Sequence, residues 1–406
     1  MRILILSNQV PMPDEQRNMR INTLYNMLVE SGHEVTVLTS CFNHYDKAMR
    51  TQDNCYDNFN VVLLNERGYK KNISFKRLLS QKDFARNAKK WFLINYRNID
   101  CVFAVVPTYE ATYNVGKICN KHNIPLIIDV EDLWPEAMRV VFRNKLIYKA
   151  LLWPIKRLAN KTYSLANSLT AVSQKYLNRA VLSNKEATNN TIVYLGVDSK
   201  KFFEGQNKYA STFAKSKNEF WVCYIGTLGT SYDLKTLFDA MKRIRELGLN
   251  NVKCKVLGKG PDEETLINYA KLNNIMVDFV GFLDYEKMAG FLNKCDLMVN
   301  PIKSTASQSV INKVGDYFAS GKPVLNSCTN KEMMELIDNY NVGFNYNSND
   351  SVELSRLIIK LFEDSDLRSK QGENAFALFK ERFDRYSSYK TIIKQIEQLS
   401  INKRQY

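Results

Sequence analysis

The chain has 406 residues, a mass of 47.0 kDa, 45% apolar residues and a formal net charge of +15. This length exceeds one ordinary hydrophobic core, so we expect two globular domains. No run of about 18 apolar residues occurs, which excludes a transmembrane helix. The eight cysteines form no CxxC pair and only three histidines are present, which argues against a metal site and favours reduced thiols in the cytosol.

The positive charge has three candidate explanations: nucleic acid, an anionic membrane surface or an acidic substrate. No recognition helix, RNA-binding motif or zinc-finger spacing is present. We therefore expect no nucleic-acid partner, and we favour the inner face of a membrane together with a phosphorylated substrate. Met1 and Arg2 lead directly into the strand-like ILIL, so we expect no signal peptide. The predicted location is cytoplasmic, peripheral on the inner face of the cell membrane.

Short apolar runs alternate with amphipathic helices in the first half of the chain, which is the pattern of a parallel α/β sheet. RILIL at 2–6 is the first predicted strand, and a helix over 17–31 follows it. The later predicted strands of this half are GHEVTVLTS, CVFAVV (101–106), PLIIDV (125–130), SLTAVS and TIVYLGVD.

The second half restarts this alternation after the polar, lysine-rich segment 205–218, which we interpret as an interdomain linker. Its predicted strands are WVCYIG, VKCKVL, VDFVGF and DLMVNPI. We assign 1–204 to a first Rossmann-like domain, 219–377 to a second, and 378–406 to a C-terminal helix. The element order would also suit a dehydrogenase, but no GxGxxG sequence follows any strand.

The segment INKVGDYFASGKPVLNS at 311–327 predicts a helix, a turn and a buried strand. Apolar residues repeat at helical spacing, and Gly321 stands where the helix needs a left-handed cap. Asp316 lies inside this helix, near the carboxyl end of the preceding strand. A carboxylate there can accept two hydrogen bonds from a vicinal diol such as a ribose. The alternative is a solvated aspartate on a surface helix.

This segment resembles the signature of the retaining GT-B glycosyltransferases of family 4. In that signature two glutamates are separated by seven residues, and the second is followed by Ala-x-Ala-x-Gly-x-Pro. Asp316, Gly321 and Pro323 match the second half, and the first glutamate falls on Gln308. The form Asn-Lys-x-x-Asp-Tyr-x-Ala-x-Gly-Lys-Pro is similar to that of a subgroup that builds bacterial surface polysaccharides. Gln308 can hydrogen-bond a donor sugar but cannot carry negative charge.

The resemblance implies a fold, a reaction and a set of ligands. The fold is α/β, of the GT-B type: an acceptor-binding and a nucleotide-sugar-binding Rossmann-like domain face a cleft, and the C-terminal helix crosses back to the first domain. The implied enzyme is a retaining hexosyl- or N-acetylhexosaminyltransferase that uses a nucleotide-sugar, with UDP favoured. Its acceptor would be a lipid-linked saccharide in polysaccharide, capsule or lipopolysaccharide O-antigen synthesis.

We expect no cofactor and no metal. The alternatives are a UDP-sugar 2-epimerase, which three histidines disfavour, and a non-catalytic GT-B binding subunit.

The turn after WVCYIG is the predicted diphosphate site. It contains Gly226, Thr227, Gly229 and Ser231. Its glycines let backbone amides approach a pyrophosphate, and the N-terminus of the following helix favours anions. Many relatives carry an arginine and a lysine at the positions of Thr227 and Tyr232. We therefore propose Lys313, close to Asp316 in the sequence, as the cation. An ordinary strand, turn and helix is the alternative.

The segment IIDVEDLWPEAM at 127–138 places acids at the carboxyl end of a buried strand. Glu131 is our candidate for contact with the acceptor hydroxyl. Asp132 is a second candidate, and its alternative role is to cap a helix that Pro135 begins. Together with Gln308, these two acids form the predicted catalytic set.

Two further predictions concern cleft contacts. The turn after VDFVGF is expected to set backbone groups of Gly281 and Phe282 against the base of the nucleotide, and a simple strand end is the alternative. Arg17 and Arg20 follow the proline-marked loop after the first strand. They are candidates for the cleft, and a solvated helix start is the equal alternative.

Two basic stretches with aromatic residues, at 75–97 and 146–161, suit an anionic membrane surface. The alternative is that their apolar faces pack on the first domain while the lysines remain in water. The sequence leaves the two interpretations even.

Overall fold

The computed structural model describes residues 1–15, 20–50, 58–72, 74–136, 145–306 and 310–404. The predictions for Arg17 and Gln308 lie outside these residues. The chain forms two compact units. The first comprises Met1–Tyr194 with Tyr389–Tyr406, and the second is Leu195–Ser388.

The first unit contains a seven-stranded sheet in the order β5-β2-β1-β6-β7-β8-β9, in which every strand pair is parallel. Its strands are β1 (Arg2–Leu6), β2 (Glu34–Ser40), β5 (Val61–Leu64), β6 (Cys101–Val106), β7 (Leu126–Val130), β8 (Ser168–Ala171) and β9 (Thr191–Ile192), and β3 (Phe42–Asn43) with β4 (Ala48–Met49) form a separate antiparallel ribbon. Its helices are α1 (Arg20–Glu30), α2 (Phe75–Asn95), α3 (Tyr109–Lys121), α4 (Lys145–Tyr163), α5 (Gln174–Val181) and α15 (Lys390–Arg404).

The central strands of this sheet are continuous apolar runs because both of their faces are buried. All six residues of β6 and all five of β7 are buried. The C-terminal helix α15 joins the first unit through a buried polar contact as well as apolar packing. The Gln395 side chain accepts a hydrogen bond from Thr170 (2.6 Å) and donates one to Ser168 (2.6 Å), both on β8.

The second unit contains a six-stranded parallel sheet in the order β12-β11-β10-β13-β14-β15. Its strands are β10 (Phe220–Ile225), β11 (Val252–Leu257), β12 (Val277–Gly281), β13 (Leu297–Asn300), β14 (Val324–Asn326) and β15 (Gly343–Asn345). Its helices are α6 (Ser199–Tyr209), α7 (Leu234–Glu246), α8 (Glu263–Leu272), α9 (Tyr285–Lys294), α10 (Asn312–Ala319), α11 (Lys331–Asn339), α12 (Ser351–Glu363), α13 (Ser365–Leu378) and α14 (Arg385–Ser388). Two Rossmann-like parallel sheets confirm the predicted α/β fold class.

The structure differs from the predicted linker at 205–218. The division between the units falls after Tyr194, and most of α6 precedes this segment within the second unit. Gly205 on α6 approaches α9 so closely that an added Cβ would lie 2.6 Å from the Glu286 backbone. Lys208 lies on α6 and Lys215 pairs with Asp296, so this lysine-rich segment is packed within the second unit.

The C-terminal helix also begins later than predicted. Residues 378–388 belong to the second unit, where Val197 and Phe383 share a backbone hydrogen bond of 2.7 Å. The helix that returns to the first unit is α15 alone. Among the described residues, no helix combines the length and the apolar character needed to cross a membrane.

Candidate functional site

Two glycine turns lie against each other at the carboxyl edge of the second sheet. Gly226 follows β10 with φ +139°, and Gly258 follows β11 with φ +131°. A Cβ added to Gly258 would lie 1.9 Å from the Gly226 carbonyl oxygen, and one added to Gly260 would lie 2.1 Å from that of Leu228. Only glycine fits this backbone-to-backbone packing, because real Cβ contacts are not this short. The turns therefore present main chain rather than side chains at this edge.

The predicted diphosphate turn is held by hydrogen bonds to its own carbonyls. Tyr224 donates its hydroxyl to the Thr227 carbonyl (2.7 Å), and the Lys303 amide donates to the Ser231 carbonyl (3.0 Å). At Gly229 an added Cβ would meet only ordinary contacts, at 3.7 Å and 4.0 Å. Packing therefore does not require a glycine at Gly229, and the missing side chain leaves open surface beside Ser231.

Lys313 brings its ammonium group to this turn from α10. Its Nζ lies 3.9 Å from the ring centroid of Tyr232 and 4.2 Å from that of Tyr224. A Cβ added to Gly226 would lie 2.6 Å from the same atom. The Nζ is buried and has no hydrogen-bond partner among the described residues. Burial lowers the pKa of Lys313 well below its ordinary value. Lys313, the proposed cation, thus stacks on Tyr232. Tyr232 occupies the position at which many relatives carry a lysine.

Asp316 lies one helical turn after Lys313, so both side chains occupy neighbouring positions on α10. The Tyr285 hydroxyl on α9 donates to Asp316 Oδ1 at 2.8 Å. Burial raises the pKa of Asp316 to about 7, while the Tyr285 hydroxyl and the charge of Arg385 oppose this rise. Asp316 is therefore a partly buried carboxyl oriented by Tyr285, unlike the solvated alternative. Sequence inspection did not select Tyr285, which lies 31 residues away.

The position of α10 depends on Tyr317, one of the apolar residues that repeat at helical spacing in 311–327. Its hydroxyl donates to the Val299 carbonyl (3.1 Å) and accepts from the Ile225 amide (3.0 Å). One side chain thereby connects α10 to the carboxyl ends of β13 and β10. Gly321 follows the helix with φ +66°, which confirms the predicted left-handed cap. These contacts place Lys313 and Asp316 beside the glycine turns.

The predicted base site has one backbone group already engaged. Gly281 ends β12 with φ +80°, and its carbonyl accepts from the Gly258 amide at 2.8 Å. No atom lies within 4 Å of a Cβ added there. The ring of Phe282 is 67% exposed. An exposed aromatic face and an open glycine leave room for a planar ligand, and the assignment to a base stays a prediction.

In the first unit, Arg20 is buried, which contradicts the alternative of a solvated helix start, and its place in a cleft stays a prediction. Its guanidinium is 5% exposed and pairs with Asp129 (2.9 Å) and Glu131 (2.9 Å). It also donates to the Tyr194 carbonyl (3.1 Å) and lies 5.0 Å from the ring centroid of Tyr389. Burial alone would lower the pKa of Arg20, but the neighbouring carboxylates outweigh burial and raise it. Arg20 therefore connects three segments of the first unit.

The two predicted catalytic acids have different surroundings. Glu131 is partly exposed and forms an ion pair with Arg20. Asp132 accepts from the Leu133 amide (2.8 Å) through one oxygen and from the Trp134 indole (3.0 Å) through the other. The structure therefore gives Asp132 a role in orienting Trp134. Its predicted role as a helix cap depends on residues beyond 136, which lie outside the described part of the chain.

The second unit also matches a protein family. Residues 206–378 match the family model described as "Glycosyl transferases group 1". This segment includes both glycine turns and all of α10. The match to this family therefore covers most of the second unit and the candidate site residues on α10.

Two curated relatives come from the archaeon Methanocaldococcus jannaschii. One uncharacterized glycosyltransferase is 28% identical over 265 residues, which cover 64% of this chain and 64% of that protein. A second is 25% identical over 178 residues, which cover 44% of this chain and 48% of that protein. The chain thus matches less than two thirds of the length of either relative.

Solved structures share the fold over almost the whole chain. HepE from Anabaena, in complex with UDP, aligns with a TM-score of 0.69 and 17% identity, covering 98% of this chain and 100% of that one. Sucrose-phosphate synthase from Thermosynechococcus elongatus has a TM-score of 0.67 at 15% identity, with 99% and 98% covered. WaaG, a glycosyltransferase involved in lipopolysaccharide biosynthesis, has a TM-score of 0.63 at 15% identity, with 98% and 99% covered. These likenesses show the GT-B type of fold.

Proposed function

We propose that the protein is a retaining glycosyltransferase of the family 4 type that moves a sugar from a nucleoside diphosphate to a lipid-linked saccharide. The observation that carries this proposal is the arrangement on α10. Lys313 and Asp316 lie one turn apart on α10, and Lys313 Nζ reaches the Gly226 turn. One helix thereby offers a cation for a diphosphate and a carboxyl group for a ribose. The match to the group 1 glycosyl transferases covers this region.

Lys313 would stabilise the leaving diphosphate. Its Nζ is buried against two tyrosine rings, and a buried ammonium without an anionic partner is costly. A diphosphate at the Gly226 turn would supply that partner and restore the charge of the lysine. Stabilisation of developing negative charge by preorganised donors is a major contribution to transfer reactions. A divalent metal is not required in this account, and the described residues contain no cluster of three or more metal-ligating side chains.

The donor base is proposed to be uracil. HepE, which shares the fold, has been crystallised with UDP and with UDP-glucose. The exposed ring of Phe282 and the open Gly281 backbone provide a surface beside which a pyrimidine would fit. Asp316, accepting two hydrogen bonds from the ribose hydroxyls, would fix the nucleoside relative to Lys313.

The first unit is proposed to bind the acceptor. Glu131 is a partly exposed carboxylate held by Arg20 and is the candidate contact for the acceptor hydroxyl, with Gln308 proposed for the donor sugar. The donor's own phosphate oxygen would take the acceptor proton, as the family resemblance implies. The chain's residues would then act mainly by orienting the two substrates. The proposed product belongs to a surface polysaccharide, and WaaG, of similar fold, acts in lipopolysaccharide biosynthesis.

We expect the purified protein to release free nucleotide from a UDP-sugar, and to do so equally with EDTA present. The amide-and-lysine site neutralises the diphosphate without a divalent ion. The measurement is nucleotide release, preceded by a thermal-shift screen of UDP-, GDP-, ADP- and TDP-sugars, because a ligand of the folded state raises its melting midpoint. A midpoint shift without release would indicate a non-catalytic binding subunit. Release that needs manganese would reject the metal-free account.

Membrane association is proposed to involve α2. Its basic side chains at Lys82, Arg86, Lys89 and Lys90 are exposed, as are the apolar side chains of Leu93 and Ile94. This combination suits the surface of an anionic bilayer on the cytoplasmic side.

Neutralising Lys82, Arg86, Lys89 and Lys90 together should weaken binding to anionic liposomes and leave nucleotide affinity unchanged. Each basic residue near such a surface contributes about 1 kcal/mol, and salt screens the effect within a Debye length of about 8 Å. Co-sedimentation over a salt series measures it. A matched control neutralises four exposed basic residues of α7: Lys235, Lys242, Arg243 and Arg245. Equal losses in both variants would show that only net charge matters, and α2 would then have no special role.

A further inference from the structure

Three basic side chains gather around Tyr69 at the carboxyl edge of the first sheet. His44 and Lys47 belong to the β3–β4 ribbon and its turn, and Arg77 lies in the first turns of α2. His44 Nδ1 is hydrogen-bonded to the Tyr69 hydroxyl. Lys47 Nζ lies 4.9 Å and the Arg77 guanidinium 5.5 Å from the Tyr69 ring centroid. The cluster of His44, Lys47 and Arg77 is called the basic cluster below.

The acids near the basic cluster do not form ion pairs with it among the described residues. Both oxygens of Glu66 accept hydrogen bonds from the hydroxyls of Ser40 and Ser80. Burial raises the pKa of Glu66, while the two serine hydroxyls and the charge of Arg77 oppose the rise. The oxygens of Asp132 accept from the Leu133 amide and the Trp134 indole. Glu66 and Asp132 therefore act on Arg77 through their charge without direct contact, and among the described residues no carboxylate forms an ion pair with Lys47 or Arg77.

Arg77 is the member of the basic cluster that has a buried donor without a hydrogen-bond partner among the described residues. It is 9% exposed, and one terminal nitrogen donates to the Asn72 carbonyl at 2.8 Å. Its Nε is buried without a hydrogen-bond partner among the described residues. Burial lowers the pKa of Arg77, and burial together with the charges of Lys47 and Arg77 lowers the pKa of His44 to about 4. Gathering basic groups in this way is costly unless an anion neutralises them.

An apolar cavity lies beside Trp134. The Arg77 guanidinium lies 4.3 Å from the Trp134 ring centroid. The same indole lines a cavity of about 350 Å³, near the lower end of the ~300–1,000 Å³ range of small-molecule sites. Its apolar lining includes Phe75, Leu78, Leu79, Trp134, Pro154 and Leu158. At its mouth Phe75 is 72% exposed, and Trp153, next to Pro154, is 58% exposed. Trp134 therefore contacts both the basic cluster and the apolar cavity.

We propose that the basic cluster and this cavity together bind one amphiphile: a phosphate group on the cluster, and the first part of its apolar chain along Trp134 in the cavity. The guanidinium Nε supplies one charge-assisted hydrogen bond to a phosphate oxygen. The Lys47 ammonium, which donates to the His44 carbonyl and to Asn72 Oδ1, exchanges one of these contacts for a second such bond. For its biological meaning this inference rests on the proposed function, because it identifies the lipid-linked acceptor as a phosphate whose chain enters the first unit. A neutral lipid would leave the charges of the cluster unmatched.

The head group is tested by isothermal titration calorimetry with octyl phosphate, inorganic phosphate and octyl glucoside. The two octyl compounds are used below their micelle concentrations. Octyl phosphate should bind most tightly. Lys47→Gln and Arg77→Gln should each weaken its binding by at least about tenfold, the effect of losing one charged hydrogen bond. Arg86→Gln, on the exposed face of the same helix, is the matched control and should bind as the parent does. Lys47 is only partly buried, so its variant decides the outcome if Arg77→Gln does not fold.

The apolar part is tested with a chain-length series of alkyl phosphates. Each added methylene that enters the cavity should tighten binding about threefold to fourfold, and the gain should stop when the cavity is full. Leu78→Ser should make the affinity for alkyl phosphates depend less on chain length, while leaving the affinity for inorganic phosphate unchanged. An affinity independent of chain length, or equal binding by the parent and Lys47→Gln, would overturn the inference. These assays use no donor, so a protein that binds alkyl phosphates but releases no nucleotide would lose the proposed function and keep this site.

Discussion

Arg20→Ala should lower the free energy of unfolding by about 3–5 kcal/mol, the range found when one partner of a buried ion pair is removed. The Asp129 side chain is fully buried, and the Arg20 guanidinium 2.9 Å away is its ion-pair partner. Without the guanidinium, the carboxyl must be protonated or water must enter the core. The Tyr194 carbonyl also loses its hydrogen-bond donor. The measurement is urea-induced unfolding followed by circular dichroism, at several pH values.

An exposed arginine of the same unit supplies the control. Arg2 pairs with Asp100 at 3.0 Å, but both side chains are in contact with solvent. Arg2→Ala should cost no more than about 1 kcal/mol. Replacing Arg20 by Met together with Asp129 by Leu should recover much of the loss, since apolar pairs of similar volume often substitute well. If Arg20→Ala proves as mild as Arg2→Ala, the buried pair is not what holds α1 to the sheet.

The sequence predicted the fold well because the parallel sheets are buried on both faces. CVFAVV at 101–106 is apolar throughout, and the structure contains the same six residues as β6. The edge strands β5 and β15 were not predicted, since they are short and only partly buried. The linker was misplaced because α6 buries only Phe202 and Gly205. A helix with so small a buried face has the composition of a connecting segment.

A candidate site residue can be selected from the sequence where one local segment carries the signal, and a contact is missed where the partner is distant. The helix, glycine cap and strand of 311–327 are local, so Asp316 could be selected from its surroundings. Tyr285, which orients Asp316, and Asp129, which pairs with Arg20 across 109 positions, reach their partners only through the tertiary fold. The basic cluster likewise brings together residues of the turn between β3 and β4 and of α2. Single residues of these types give no sequence signal until packing brings them together.

Asp316→Ala should reduce nucleotide affinity by about 1.5–3 kcal/mol, the value of charge-assisted hydrogen bonds to a ribose. The measurement is the dissociation constant of a UDP-sugar by calorimetry. An unchanged constant would reject the ribose assignment. Tyr285→Phe is the informative control, because it removes a contact of the Asp316 carboxyl without removing the carboxyl itself.

The affinity of the parent protein should also fall as the pH drops below neutrality. Burial raises the pKa of Asp316 to about 7, and a ribose donates its hydrogen bonds preferentially to the ionised carboxylate. The favourable interaction is therefore fully present well above that pKa and is lost as pH falls through it, by about tenfold for each pH unit below. A UDP-sugar suits the test, since both of its phosphates are esterified and do not titrate near neutrality.

Asp316→Asn should bind the UDP-sugar weakly, and its affinity should not depend on pH in this range. Tyr285→Phe should move the loss to higher pH, because the hydroxyl that opposes the effect of burial on the Asp316 pKa is gone. A parent affinity that stays constant from about pH 8 to about pH 6 would show that the Asp316 carboxyl does not titrate against the ligand.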